Sequence, residues 1–533
     1  MTWLKRLRRP RGPAGVDPDA RLAPVRTAID EVAGRGRPAL DRLVDQLADL
    51  DAVGDDATAL AALELLGGRP RVVSRLDEHA RRTSWYSPHH STVLDRLPER
   101  LDAGAAGPIA MALASTHRDG RIRERAVTAI LDRPGPELMP FLVLRTGDWV
   151  GQVRNRARAG LALLLADDPN GYLPATVPTA LVVQFWRRGG FAYTQALAAL
   201  LTAPTEVRQA LAGSAGRHLR RFVFDTALTQ RWLHLDELVA AAESEGDVRI
   251  RARAAEAACR EAVWTRRIGV LQRLAGSRRA DVRVLALTGL VRTGHDAEVA
   301  GYLDDPAPLV RAVARDAARR LGTDLLAYYL GAVADPVPAI GAIAGLAEMG
   351  SDTAVPLLRP LLAHPSASVR ARAVWALRQL EAVDVEGMVP LLRDPSPAVV
   401  RETTAALRPF HRRVPPELGW RLLADPRTEL RRAGYRLLRD RSTAVRLRAG
   451  LLLAMDPYPE LARRGRADVT GLVRATNLPA RRRALVPELL VTAAEHADLT
   501  ELARRAAGTL GADTTGLLSG WLAGAVPTQR SGT

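Results

Sequence analysis

Residues 364–380 read HPSASVRARAVWALRQL, and this stretch decides the fold. His364 stands before Pro365, and a residue before proline is pushed out of the α region, so a helix arriving from upstream ends here. Beyond it, Val369, Ala373, Ala376, Leu377 and Leu380 fall at i, i+4, i+7, i+8 and i+11, one face of an amphipathic helix of about three turns. Ala373 and Ala376 are small, which predicts close approach of neighbouring helices, and Ala371 is expected on the outward face.

The same phrase returns along the chain. Val310, Ala314, Ala317, Ala318 and Leu321 repeat the spacing, and an apolar-Arg pair opens each Ala-rich stretch: Ile122-Arg123, Val153-Arg154, Val248-Arg249, Val282-Arg283, Val310-Arg311, Val369-Arg370 and Leu430-Arg431. Two degenerate copies begin at Pro338 and Val399, with Ala339 and Val400 in place of arginine. The first residues of these units are 31, 95, 34, 28, 28, 31, 30 and 31 apart. Because 95 is about three periods, the array is expected to continue, eroded, through residues 154–247. Turn signals precede the helices at Asp305-Pro306, Asp335-Pro336, His364-Pro365, Asp394-Pro395 and Asp425-Pro426. At Ser396-Pro397, serine suits the N-cap and proline the first helical position. Another apolar helix is expected upstream of these turns, as at 354–362 and 388–392. Each period is therefore two antiparallel helices, and a unit this short buries its apolar face only by stacking on its neighbours. The predicted fold is all-α, a right-handed α-α superhelix.

Asp394-Pro395-Ser396-Pro397-Ala398-Val399, the run from Asp305 to Arg311 and the run from His364 to Arg370 resemble HEAT repeats of the short bacterial type. The resemblance covers about 111–443. It implies a scaffold or adaptor that binds protein partners through an extended surface, and an arginine after the apolar residue that bridges neighbouring units; Ala339 and Val400 interrupt that bridge. The expected organisation is a basic tail at 1–15, a divergent helical cap at 16–110, the repeat array at 111–443 (eroded at about 160–247), a basic helical cap at 444–522 and a tail at 523–533.

Composition agrees with an array. The 533 residues are 47% hydrophobic and 25% charged, while aromatics reach only 4%, so the core is built from small side chains. One cysteine, Cys259, excludes an intramolecular disulfide framework and a Cys-based zinc site, and fits a reducing cytoplasm. Apolar runs such as 159–166 are far shorter than a bilayer span requires, and Pro10 and the residues after it stand where a signal sequence would be apolar. A soluble, cytoplasmic protein is predicted.

The formal net charge is +17, with a single lysine, Lys5. The charge is local. Residues 1–15 carry five basic residues and no acid, and residues 411–483 carry 18 arginines against seven acids, which leaves the remainder near neutral. The first segment, with Trp3, Leu4 and Leu7, suits a basic tail or peripheral membrane contact through residues 1–11. In the second, Leu430, Gly434, Leu437 and Leu438 take the buried spacing and turn Arg432, Arg436 and Arg439 outward as one stripe. These three, with Arg481, Arg482 and Arg483, are the candidate partner-binding residues; the partner is a protein or, in the second reading, nucleic acid bound by residues 411–483.

Catalytic signatures are missing: the sequence has no HExxH, no phosphate-binding loop, no GxGxxG and no GxSxG. His89, His90, His117, His218 and His234 follow no metal-ligand spacing. One enzymatic reading survives, a resemblance in scaffold and residue type to bacterial alkylpurine DNA glycosylases, which would make Asp148 and Trp149 catalytic and draw on Trp186 and Trp264. The alternative places Asp148 as a capping and bridging residue between helices. A non-catalytic binding protein with no cofactor is the expectation.

Overall fold

In the computed structural model, which describes residues 18–35, 37–82, 96–476, 489 and 491–525, every regular element is helical. The expected basic tail at 1–15 and most of the tail at 523–533 lie outside the described residues. The chain forms two compact units, residues 1–258 and 259–533.

In the first unit, within the helical cap expected at 16–110, helices Pro18–Arg35 and Arg37–Val53 pack together. A single buried core then runs from Leu22 to Val223. The eroded region is therefore still stacked helix: Pro169–Val183, Gly190–Thr202, Arg217–Thr229 and Leu235–Ser244 continue the array. Its pattern is blurred because Pro174 and Pro178 sit inside one of these helices.

In the second unit, helices Ala280–Arg292, Pro308–Arg320, Ile340–Glu348, Ala367–Gln379, Pro397–Leu407 and Thr428–Leu438 each pack on the next. Their partners are shorter than expected. Residues 354–362 form not one helix but Val355–Leu358 followed by a 3-10 turn, Pro360–Ala363, and 388–392 likewise passes from Val385–Met388 into a 3-10 segment, Val389–Arg393. Pro356, Pro360 and Pro390 remove amide donors there, and the tighter 3-10 pattern accommodates the loss.

The turns are built by their aspartates. Asp148, Asp305, Asp394, Asp425 and Asp456 each accept the N–H two residues on, at 2.8–2.9 Å. That bond orders the chain before the next helix starts. Pro308 and Pro397 occupy the first helical position as predicted, but Ser396 makes no side-chain cap bond; Asp394 bonds the Ser396 N–H instead.

The turns are then tied to one another by arginine. Arg123, Arg283, Arg370 and Arg431 each lay Nε and Nη2 on the two carboxylate oxygens of the next turn's aspartate (Asp148, Asp305, Asp394 and Asp456) at 2.7–3.1 Å. The other nitrogen, Nη1, returns to a carbonyl of the arginine's own turn, at His117, Ser277, His364 and Asp425 respectively. Two further rungs appear where the sequence pattern is faint: Arg221 to Asp247, and Arg446 to Asp468. Removing paired charges from water is costly, and two-pronged geometry with extra backbone bonds offsets the cost.

Several predicted positions shift. Ala373, Ala376, Val369 and Leu377 are buried as expected, but Ala371 is buried too, because its helix lies between neighbours on both flanks. Leu321 is exposed, since its helix ends at Arg320. In helix Val248–Trp264 the inward pair is Ile250-Arg251, not Val248-Arg249: Val248 and Arg249 face solvent, while Arg251 is 4% exposed.

The two degenerate units are repaired from the following turn. Where Val400 replaces arginine, Arg427 donates to the carbonyls of Asp394 and Pro395. In the unit after Asp335 the helix starts only at Ile340, and the equivalent site is Gly341, where a Cβ would collide with the Asp304 carbonyl. There His364 pairs with the Pro336 carbonyl, and Arg311 turns to Glu348.

Candidate functional site

Asp148 sits at the most enclosed rung. It is 0% exposed, and its carboxylate accepts from Arg123, from Arg145 at 3.2 Å and from the Val150 N–H. Arg145 also pairs with Asp77, so two guanidiniums and two carboxylates form one buried network. Burial works to raise the Asp148 carboxyl, but the bond from Arg123, the Arg145 charge and the Val150 N–H outweigh it and hold the group below its ordinary value. Trp149 beside it is 58% exposed, with the Arg123 guanidinium 5.3 Å from its ring centre. The neighbouring residues thus face opposite ways. Among the described residues, no group of three His, Cys, Asp or Glu is placed to hold a metal. Burial pushes the Cys259 thiol up to about 12, leaving it protonated at neutral pH.

The arginine stripe leads to a different site. Leu430, Gly434, Leu437 and Leu438 are buried as predicted, which sets the phase of helix Thr428–Leu438. Arg432, Arg436 and Arg439 accordingly line a cleft of about 980 Å³ in the second unit. Arg408, Arg463 and Arg464 join them from the flanking elements, and Thr404, Ala405, Tyr435, Glu460, Leu461 and Ala467 complete the lining. Arg408 is held by Asp440, Arg432 lies 4.0 Å from Glu460, and Arg439 lies 3.8 Å from both Asp440 and Asp468. Asp468 is already shared by Arg446 and the Tyr435 hydroxyl. Arg436, Arg463 and Arg464 have no carboxylate at bridging distance among the described residues. Burial, then the charges of Arg432, Arg408, Arg464 and Arg439, lowers the Arg436 guanidinium from its ordinary value. Arg481, Arg482 and Arg483 lie outside the described residues.

Residues 323–408 match the family model for HEAT repeats. That stretch of the second unit is HEAT-like. No curated protein matches the chain's sequence. Among solved structures it is similar to an engineered protein (16% identity, 80% of this chain and 98% of that one, TM-score 0.20). It is also similar to Kap95p in a structure with RanGDP (13% identity, 93% and 67%, TM-score 0.28) and to importin beta (11% identity, 91% and 68%, TM-score 0.26). Superposition at these scores is poor, and no partner passes from them to this chain.

The repeat interval shows why the cleft is basic. Arg408 and Arg439 are 31 residues apart, as are Arg432 and Arg463, the same interval that separates Asp394, Asp425 and Asp456. Equivalent positions of successive units therefore converge on one cleft. Counting from each turn aspartate finds Arg408 and Arg463, which a search within one helix misses; Arg464 has no such signal. Among the described residues no helix is long and apolar enough to cross a membrane.

Proposed function

We propose that the protein is a non-catalytic HEAT-repeat scaffold that docks an acidic segment of a protein partner in the arginine cleft of its second unit. The observation that carries this reading is the unneutralised trio Arg436, Arg463 and Arg464, set among three further arginines in one cleft. Like charges gathered this way gain nothing for the isolated chain, and an anionic partner relieves their repulsion. The non-catalytic reading is supported by Asp148, whose oxygens are wholly enclosed by arginines and a backbone amide and so are not presented to a substrate.

Nucleic acid is the second reading, favoured by the same arginines. Single strands are usually gripped by bases stacked on aromatic rings as well as by phosphate contacts. Among the described residues the one aromatic lining this cleft, Tyr435, is 3% exposed and spends its hydroxyl on Asp468. The deciding experiment is capture from the native lysate by wild type and by Arg436→Glu, with and without nuclease. A defined protein retained after nuclease and lost with the variant is the expected result. Material that disappears with nuclease from the wild type would replace the protein reading by the nucleic-acid one.

A further inference from the structure

The cleft has more donors than one carboxylate can use. A guanidinium presents a planar fork of donors, and an Asp or Glu side chain satisfies one fork with one charge. Here Arg436 is neighboured by Arg432 and Arg439 on its own helix, by Arg408 on the preceding unit and by Arg463 and Arg464 on the following one. The local acids are committed or remote. Asp440 is taken by Arg408, Asp468 by Arg446 and Tyr435, and Glu460 is 60% exposed and only grazes Arg432. The Arg439 Nε is buried without an acceptor.

We infer that the cleft is a receptor for a phosphorylated side chain, with Arg436 at its centre and Arg463 and Arg464 completing the grip; this rests on the reading that the partner is a protein. A phosphomonoester carries about −1.5 to −2 charges at neutral pH and three terminal oxygens, so it satisfies two or three forks where a carboxylate satisfies one. It also suits the lining of the site. Residues of three successive units face the cleft, and Ala405, Leu461 and Ala467 stand beside the arginines, where they can meet the short apolar stem that carries the phosphate. A phosphodiester strand offers only one charge at each phosphate and needs an extended track. The lowered Arg436 value agrees with a site whose positive charge is uncompensated until an anion arrives.

The test uses the full chain and a fluorescent Ser/Gly/Asp-rich peptide prepared with a central phosphoserine, serine or glutamate, beside a single-stranded oligonucleotide of matched charge. The phosphorylated peptide should bind at least about tenfold more tightly than the other two, and free phosphoserine should displace it better than free glutamate. Arg436→Gln and, separately, Arg463→Gln should each remove about tenfold of that affinity, whereas Arg504→Gln, an exposed arginine that does not line the cleft, should not. Circular dichroism verifies that the variants remain folded. Equal binding of the phosphoserine and glutamate peptides overturns this inference and leaves the acidic-partner reading standing. An oligonucleotide that binds as tightly as the phosphopeptide and displaces it overturns both. Failure of the phosphopeptide to bind, or unchanged affinity in both cleft variants, overturns the phosphate receptor.

Discussion

Arg427 reaches back across one whole repeat to donate Nη2 to the carbonyl oxygen of Asp394 at 2.9 Å. That carbonyl is the one an arginine at position 400 would have served, and Val400 stands there instead. The side chain is also held by Glu429, so it is pre-positioned. Arg427→Ala should therefore destabilise the chain by about 1–2 kcal/mol, the cost of leaving turn carbonyls without their donor. Arg421→Ala, on an exposed face of the preceding helix, should change stability by no more than about 0.5 kcal/mol. Equal urea midpoints for the two variants would show that the repair contributes nothing.

The rung between Arg370 and Asp394 makes a prediction in pH. The bond from Arg370 is the main cause that holds Asp394 below its ordinary value of 3.8, with the Ser396 N–H and the charges of Arg370 and Arg427 acting the same way against burial. Asp148, Asp247 and Asp468 and, on Glu348, the pair Arg311 and Arg315 show the same direction. A folded-state value below the unfolded one means the stabilisation is complete above the unfolded value and is lost as pH falls through the folded one. The protein should accordingly lose stability below about pH 4. Arg370→Met should cost about 1–3 kcal/mol at neutral pH, and its deficit should shrink as the solution is acidified. A deficit independent of pH would mean that the pair contributes packing and not charge.

Helix packing at the cleft can be tested at one glycine. A Cβ on Gly434 would lie 2.5 Å from the Gly419 carbonyl oxygen and 2.6 Å from the Leu423 nitrogen, both backbone atoms of the adjacent helix. Neither can step aside without moving that helix. Gly434→Ala should destabilise by about 1–3 kcal/mol. Gly471→Ala, whose Cβ meets nothing within 4 Å in helix Pro459–Thr476, should stabilise by about 0.5–1 kcal/mol. Thermal unfolding of the two variants should shift in opposite directions.

The contrast between these sites shows what the sequence could and could not convey. The turn aspartate and the arginine that follows it are six residues apart in the clearest units, as at Asp305 and Arg311, so the repeat, its period and its helix pairs are local information. Local pattern does not fix the phase of a helix where two apolar-Arg pairs stand two residues apart: Val248-Arg249 and Ile250-Arg251 fit the frame almost equally, and only packing selects the second. A single apolar stripe places Ala371 outward, whereas an interior helix of a stack is covered on two flanks. The arginine stripe was legible within its own helix. That Arg408 and Arg463 share its cleft depends on contacts between units, which only the repeat interval connects.

Arg436 is exposed and has no carboxylate partner among the described residues, while four neighbouring guanidiniums oppose its charge. Arg439, by contrast, lies 3.8 Å from Asp440 and from Asp468 and is 22% exposed. Arg436→Glu should thus leave the melting temperature unchanged or raise it slightly, because a repulsive charge is removed and an attractive one gained. Arg439→Glu should lower it, because the new carboxylate faces two existing ones. Replacing Arg432, Arg436 and Arg439 together by glutamate would therefore combine opposing effects, and single variants are the cleaner test. The wild type should also gain stability as salt rises from about 50 to 300 mM, since screening weakens the mutual repulsion of exposed charges. Sulfate or phosphate should exceed chloride at equal ionic strength, because a polyvalent oxyanion accepts from several guanidinium forks at once, and that excess should vanish in Arg436→Gln. An excess that survives the substitution would place anion binding elsewhere on the chain and remove Arg436 from the docking site.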